Sequence, residues 1–244
     1  MADPTLLGYA GVIRHALVNT GLFRRASVRR TFVQQVYFTG VEALPFVAAM
    51  AIVFGAVVVA RALAVVGTDN DAVLKNLVWV GVRELGPVAA AMVIIARSSV
   101  AIAAELGLMR LRGELPPHTY EGVAAEEEVI LPRIAGVTIA SVALTAYFQL
   151  FTIASALATM SISLGTPASG EFAHFVETAS SGETLIILAK GAIFGVGIAA
   201  ISCYHGLAIP PRVTALPKAV IAAGLGSLAY VGFVDAALFA LRSA

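Results

Sequence analysis

Apolar residues run along this chain in blocks too long for the interior of a small globule. Five such blocks lie near 43–66, 78–97, 131–163, 184–207 and 218–241. Each approaches or exceeds the ~20 residues that an α-helix needs to cross a hydrocarbon core of roughly 30 Å, so the pattern predicts five transmembrane helices. The third block is longer than a span requires and is expected to tilt, or to continue as helix beyond one surface. Ahead of the first, Thr5 to Phe38 interleaves Leu6, Leu7, Val12, Ile13, Leu17, Leu22 and Phe23 with Arg14, Arg24, Arg25, Arg29 and Arg30. That mixture predicts an amphipathic helix lying in the interface against anionic headgroups. The expected fold class is all-α integral membrane: an N-terminal interfacial elbow helix within 1–42, then five spans over 43–241, in one domain covering 1–244.

Composition reinforces the pattern. Hydrophobic residues make up 59% of the chain and charged residues 13%, against about 25% charged in soluble domains, and the mean hydropathy is +0.90. The formal net charge of +1 supplies no bulk attraction for nucleic acid. Basic residues do not alternate with aromatics as a stacking groove requires, so nucleic-acid binding is set aside. Cys203 is the one cysteine and has no mate for an internal disulfide. Residues 1–40 lack the short apolar core and small-residue cleavage site of a signal peptide. His15, His118, His174 and His205 are scattered with no pair at ligand spacing, and no metal site is expected. The sequence has no phosphate-binding loop and no nucleophile elbow, so the energy source is expected in another subunit.

Lys and Arg in short loops set the orientation. Arg14, Arg24, Arg25, Arg29 and Arg30 precede span one, Arg97, Arg110, Arg112 and Arg133 surround the connection between spans two and three, and Arg212 and Lys218 precede span five. The opposite side holds Lys75 and Arg242. The N-terminus is therefore expected to be cytoplasmic, and the C-terminus and the loops near 67–77 and 164–183 external. Both loops carry turn residues, and Phe172, Phe175 and Val176 suit a short helix resting on the membrane.

Ionisable groups inside the spans are the informative ones. A central Asp, Lys or Arg costs roughly 2.5–3.5 kcal/mol on insertion scales, so each requires a partner, a wet cavity or a nearby interface. Arg61 late in span one, Arg83 and Glu84 in span two, Lys190 early in span four and Asp235 late in span five all fall in the outer half of the bilayer under this orientation. That coincidence predicts a shared polar site near the external leaflet. The plainer alternative is that Arg61 and Lys190 snorkel to the outer headgroups while Glu84 pairs with Arg83. Gly86-Pro87 follows the charged pair directly, and span two is expected to kink or break there. Gly191, Gly195 and Gly197 on span four, with Gly224 and Gly226 on span five, provide small-residue faces for close helix packing. Glu126-Glu127-Glu128 suits a solvated first turn of the third helix.

The segment from Arg97 to Pro132 is expected to be the longest cytoplasmic connection, and it carries the densest signature. Arg83-Glu84-Leu85-Gly86-Pro87, Ala96-Arg97, the run Ala101 to Arg110 and Leu131-Pro132-Arg133 occur in order. Together with Gln35, Gly40, Pro45, Phe54, Gly55, the run Lys190 to Gly195 and Asp235, they resemble the MlaE/YrbE family of permeases over nearly the whole chain. The resemblance implies a lipid-transporting ABC system: a cytoplasmic ABC ATPase that uses the ATP, an MCE-domain lipid-binding protein on the external side, and a second permease copy, identical or paralogous. It leaves room for a small cytoplasmic STAS-type regulatory subunit. It implies a multi-pass protein of the bacterial inner membrane and no cofactor on this chain. It places Arg83, Glu84, Lys190 and Asp235 near a lipid cavity, the same set that membrane cost singles out, with Arg61 added. It also makes Glu105, Leu106, Gly107, Leu108, Met109, Arg110, Glu114 and Leu115 the coupling segment toward the ATPase.

Three positions depart from the family pattern. Arg61 stands where glutamine is common, which adds positive charge suited to an anionic headgroup. Gly113-Glu114-Leu115-Pro116-Pro117-His118 replaces a Glu-Gln-Ile/Leu-x-Ala-type coupling helix, which the two prolines are expected to interrupt. Val123-Ala124-Ala125 replaces a Val-Asp-Pro turn. Two other classes of function stay open on the residues alone: a gradient-driven secondary transporter using Glu84 and Asp235, and a non-transporting scaffold that anchors an MCE protein. An intramembrane enzyme is disfavoured, because no nucleophile–base pair is apparent.

Overall fold

The computed structural model describes residues 26–66, 84–114, 125–165, 181–210 and 212–243. Among these residues all regular structure is helical: α1 (Ala26–Thr39), α2 (Leu44–Val66), α3 (Gly86–Ile94), α4 (Val100–Leu111), α5 (Ala125–Leu164), α6 (Ser181–Leu207) and α7 (Leu216–Ser243). Short 3₁₀ turns at Val41–Ala43 and Val213–Ala215 lead into α2 and α7, and a π-helical turn at Ile95–Ser99 joins α3 to α4. Five helical stretches are long and apolar enough to cross a membrane: Ala26–Val65, Gly86–Leu111, Val129–Leu164, Thr184–Leu207 and Val213–Leu241.

The first stretch is two helices. At 14 residues, α1 extends roughly 21 Å, short of a bilayer core. It exposes Arg29 and Arg30 together with Val33 and Tyr37, the side-chain mixture of an interfacial helix. Gly40 ends it, donating its N–H to the Val36 carbonyl at 2.8 Å. Pro45 then occupies the first turn of α2, where a missing N–H leaves no helical bond unmade.

One boundary differs from the sequence expectation. Helix continues without interruption from Glu84 to Leu111, so the connection expected to open at Arg97 opens at Arg112 instead. Ala101, Ala103, Ala104, Leu106, Leu108 and Met109 are strong helix formers and carry the winding past the end of the second apolar block. The stop is made by Gly113 in the left-handed region (φ 67°). Gly113 donates to the Arg110 carbonyl at 3.2 Å and Glu114 to the Met109 carbonyl at 2.9 Å, the paired bonds of a Schellman cap. Helix thus ends before Pro116 and Pro117, which lie outside the described residues with Leu115 and His118. Around Gly86-Pro87 the chain stays helical, with a π-type winding at Glu84 and Leu85 and Pro87 in the first turn of α3. The excess length of the third block is helix: α5 runs 40 residues, roughly 60 Å.

The helices divide into two compact units whose boundaries fall within α3, α5 and α6. One comprises Ala43–Ala90 and Val142–Gly191, the other Met1–Glu42, Ala91–Ser141 and Ala192–Ala244. In the first, α2 packs on the C-terminal part of α5. A Cβ at Gly55 would run into the Thr152 carbonyl and the Ser155 hydroxyl, so only glycine permits this approach. Phe54 and Phe148 meet at 5.7 Å between centroids, and Val59, Ala62, Ala156, Leu157 and Met160 close the core below them. Lipid tails are as apolar as these side chains, so their cohesion comes from close contact and not from escape from water.

In the second unit α4 and the π-helical turn pack on α7. The Ser202 and Ser99 hydroxyls lie 2.8 Å apart, and Ser99 lies 3.1 Å from Ser227, which links three helical segments through buried hydroxyls. Ser202 also bonds to the Ile198 carbonyl at 2.6 Å, and the Tyr230 hydroxyl donates to the Ile193 carbonyl at 2.9 Å. Of the expected small-residue faces, Gly195 takes the backbone of Thr138 and the side chain of Ser141 in close contact, whereas Gly224 has ordinary spacing from Val100.

Candidate functional site

Two of the five charges singled out in the spans meet. Lys190 on α6 donates through Nζ to Oε2 of Glu84 at 2.9 Å, across 106 positions of sequence. The lysine side chain is 3% exposed and the carboxylate 17%. A charge enclosed in a span is costly without a partner, and the carboxylate supplies one at hydrogen-bond distance. The π-type winding at Glu84 widens the helix at the position that presents the carboxylate, a distortion that recurs at functional sites.

The remaining members stand differently. Arg83 and the loops 67–77 and 166–180, with Phe172, Phe175 and Val176, lie outside the described residues. Arg61 is exposed on α2 and is therefore not enclosed as Lys190 is. Asp235 is half-buried on α7, in the second unit.

The residues expected to couple to an ATPase, as far as they are described, fall on the last turns of α4 and its cap. Leu106 and Gly107 are buried; Gly107 lies against Leu216 and Ile209, so these two hold the helix in place. Glu105, Leu108 and Arg110 are exposed, Met109 is partly so, and Glu114 follows the cap, exposed and 3.6 Å from Arg112. Arg110 also donates to the Leu207 carbonyl, a cation closing the C-terminal end of α6.

Sequence reasoning missed three arrangements. Arg97, read as a loop charge, sits in the π-helical turn. It donates to both the backbone carbonyl of Glu42 at 2.7 Å and its carboxylate at 3.1 Å, with its guanidinium 5.8 Å from the Phe38 ring centre. Arg133 reaches Glu105 at 2.9 Å. The serine chain is the third. Arg97, Glu105 and Arg133 all lie in the family signature, so the sequence marked their importance without their partners.

These helices, five stretches of which are long and apolar enough to cross a membrane among the described residues, with a buried lysine–carboxylate pair, are the architecture of a multi-pass membrane protein. The family described as Permease MlaE matches residues 32–241, most of the chain, and the protein belongs to that family. It is thus the membrane permease of a lipid-transport ABC system. No curated protein matches the chain.

Proposed function

We propose that this permease moves phospholipid or a related lipid between the bacterial inner membrane and an external MCE-domain partner, driven by a separate cytoplasmic ATPase. Two permease subunits, identical or paralogous, form the core, with the N-terminus cytoplasmic and the C-terminus external. The buried Glu84–Lys190 pair is the observation that carries this reading. Its cation, with Arg83 and Arg61, offers a phosphate-binding locus, and its carboxylate keeps the lysine compensated when the locus is empty. The exposed face at Leu108, Arg110 and Glu114 is the contact for the ATPase, whose closure is transmitted through α4 and the π-helical turn.

The test is ATP-dependent transfer of fluorescent phospholipid to the MCE partner by the complete complex in proteoliposomes. Glu84→Lys and Lys190→Glu should each lower transfer by at least about tenfold, the equivalent of ~1.4 kcal/mol. Undiminished transfer in both variants removes the cavity assignment. Transfer that needs an ion gradient and no ATP replaces the mechanism with secondary transport.

A further inference from the structure

A groove of about 260 Å³ opens between α1, α4 and α5, with room for roughly nine water molecules at about 30 Å³ each. Thr31, Gln34, Gln35 and Phe38 line it from α1, Glu105 from α4 and Arg133 from α5. Their spacing along α1 puts these four residues on one helical face. Of that face, Gln34 is exposed, and Gln35 is buried with its amide nitrogen on the Thr39 hydroxyl at 2.7 Å.

Arg133 is the unusual member. Its side chain is charged and yet only 5% exposed. Nη1 donates to the Val129 carbonyl at 3.0 Å and Nη2 to Glu105 at 2.9 Å, while the Nε–H finds no acceptor among the described residues. A guanidinium presents five donors, so this one retains capacity for another acceptor. Glu105 is the reverse: its carboxylate is 58% exposed, with room for a second cation beside Arg133.

A fixed positive and a fixed negative charge, side by side among amide and hydroxyl groups, select for a ligand with both signs. A purely anionic group meets Glu105, and a purely cationic one meets Arg133. A choline head has no N–H for the carboxylate and binds through aromatic cages. The one aromatic ring here, Phe38, already has the Arg97 guanidinium near its face. A primary ammonium next to a phosphate satisfies both ends.

We propose that this groove binds a phosphoethanolamine group, its phosphate beside Arg133 and its ammonium on Glu105, presented as the headgroup of a phospholipid in the leaflet where α1 lies. The interfacial character of α1, with Arg29 and Arg30 exposed beside Val33 and Tyr37, places the groove at headgroup depth. The bound lipid fills the gap between the elbow helix and the helix that ends in the coupling face. Only the choice of leaflet rests on the orientation proposed above. Labelling of Glu114→Cys by a membrane-impermeant maleimide reads that orientation separately, so either idea can fail alone.

The experiment uses the complete transporter complex in nanodiscs containing a phosphatidylethanolamine with a photoreactive diazirine near its headgroup, and peptide mass spectrometry of the adducts. Labelling is expected on the peptide spanning 31–38. Unlabelled phosphatidylethanolamine should suppress it about tenfold better than phosphatidylcholine or phosphatidylglycerol, the scale of one charge-assisted hydrogen bond. Glu105→Gln, an exposed substitution that leaves the buried arginine in place, should erase that preference. Competition by millimolar glycerophosphoethanolamine as strong as by the lipid overturns the membrane source and assigns the groove to a soluble zwitterion. Absence of labelling on 31–38, or a headgroup preference unchanged in Glu105→Gln, overturns the site.

Discussion

Two ion pairs, one in each unit, differ in how far they are enclosed. Lys190 and Glu84 are 3% and 17% exposed at 2.9 Å, whereas Arg97 and Glu42, at a nearly equal 3.1 Å, are 33% and 43% exposed. Equal distance does not mean equal worth. Removing one member of an enclosed pair leaves the other charge in a setting where water compensates it poorly, so the loss is larger than for an exposed pair. An exposed pair is screened, and solvent replaces a missing member at little cost. The contrast extends to the surroundings: the first unit packs α2 on α5 through glycine and aromatic contact, while the second links its segments through hydroxyls and an arginine on a carbonyl.

The largest effect expected from this contrast is at Lys190. Lys190→Met removes the cation that Glu84 holds at 2.9 Å and should cost up to about 3–5 kcal/mol, the range for breaking a buried pair from one side. Glu84→Leu combined with Lys190→Met removes both charges, and an apolar replacement of a buried pair is often neutral or stabilising. The double variant should therefore regain most of the lost stability while staying inactive in lipid transfer. Cys203, the one cysteine and buried, is a built-in reporter: the temperature at which it reacts with a fluorogenic maleimide in detergent reads unfolding. A double variant that transfers lipid at the wild-type rate reduces the pair to scaffolding.

The next effect is steric. Gly55→Val places methyl groups where the Thr152 carbonyl and Ser155 hydroxyl already stand, and overpacking of this kind costs typically 1–3 kcal/mol. The Cys203 melting point should fall accordingly, and Gly224→Ala, with ordinary spacing around it, is the control that should leave it unchanged. Equal shifts for the two would remove the close approach of α2 and α5 as the cause.

Much of this was legible from residues alone, because the bilayer imposes the strongest rule. Uninterrupted apolar length located α2, α6 and α7 within a few residues, and the cost of charge in hydrocarbon picked out Glu84 and Lys190 before their contact was known. The end of α4 was misplaced because hydropathy marks where lipid ends, while winding stops only where backbone conformation changes. Gly113 at positive φ was a better signal of that stop than Arg97 or the two prolines. The pairings of Arg97 with Glu42 and of Arg133 with Glu105 were not legible, since they join segments 55 and 28 positions apart and one sequence carries no record of which charges face each other. The serine chain was hidden for a similar reason: Ser99, Ser202 and Ser227 look like neutral small residues until three helical segments bring them together.

The smallest effect belongs to the exposed pair, and its two halves should not be equal. Glu42→Gln removes the carboxylate charge but keeps the backbone carbonyl that Arg97 holds at 2.7 Å, so its cost should lie at the low end of the ~0.2–1 kcal/mol typical of exposed pairs. Arg97→Gln loses the ion pair, the carbonyl bond and the contact with Phe38 together. It should exceed Glu42→Gln by about 0.5–1.5 kcal/mol, the net worth of one hydrogen bond. Cys203 melting of both single variants and the double variant closes the cycle. If the arginine works mainly through the carboxylate, the two single variants will match and the double will add nothing. If it works as a backbone strap between the π-helical turn and the entry to α2, Arg97→Gln alone will reproduce the whole loss, and Glu42→Gln will leave the protein close to wild type.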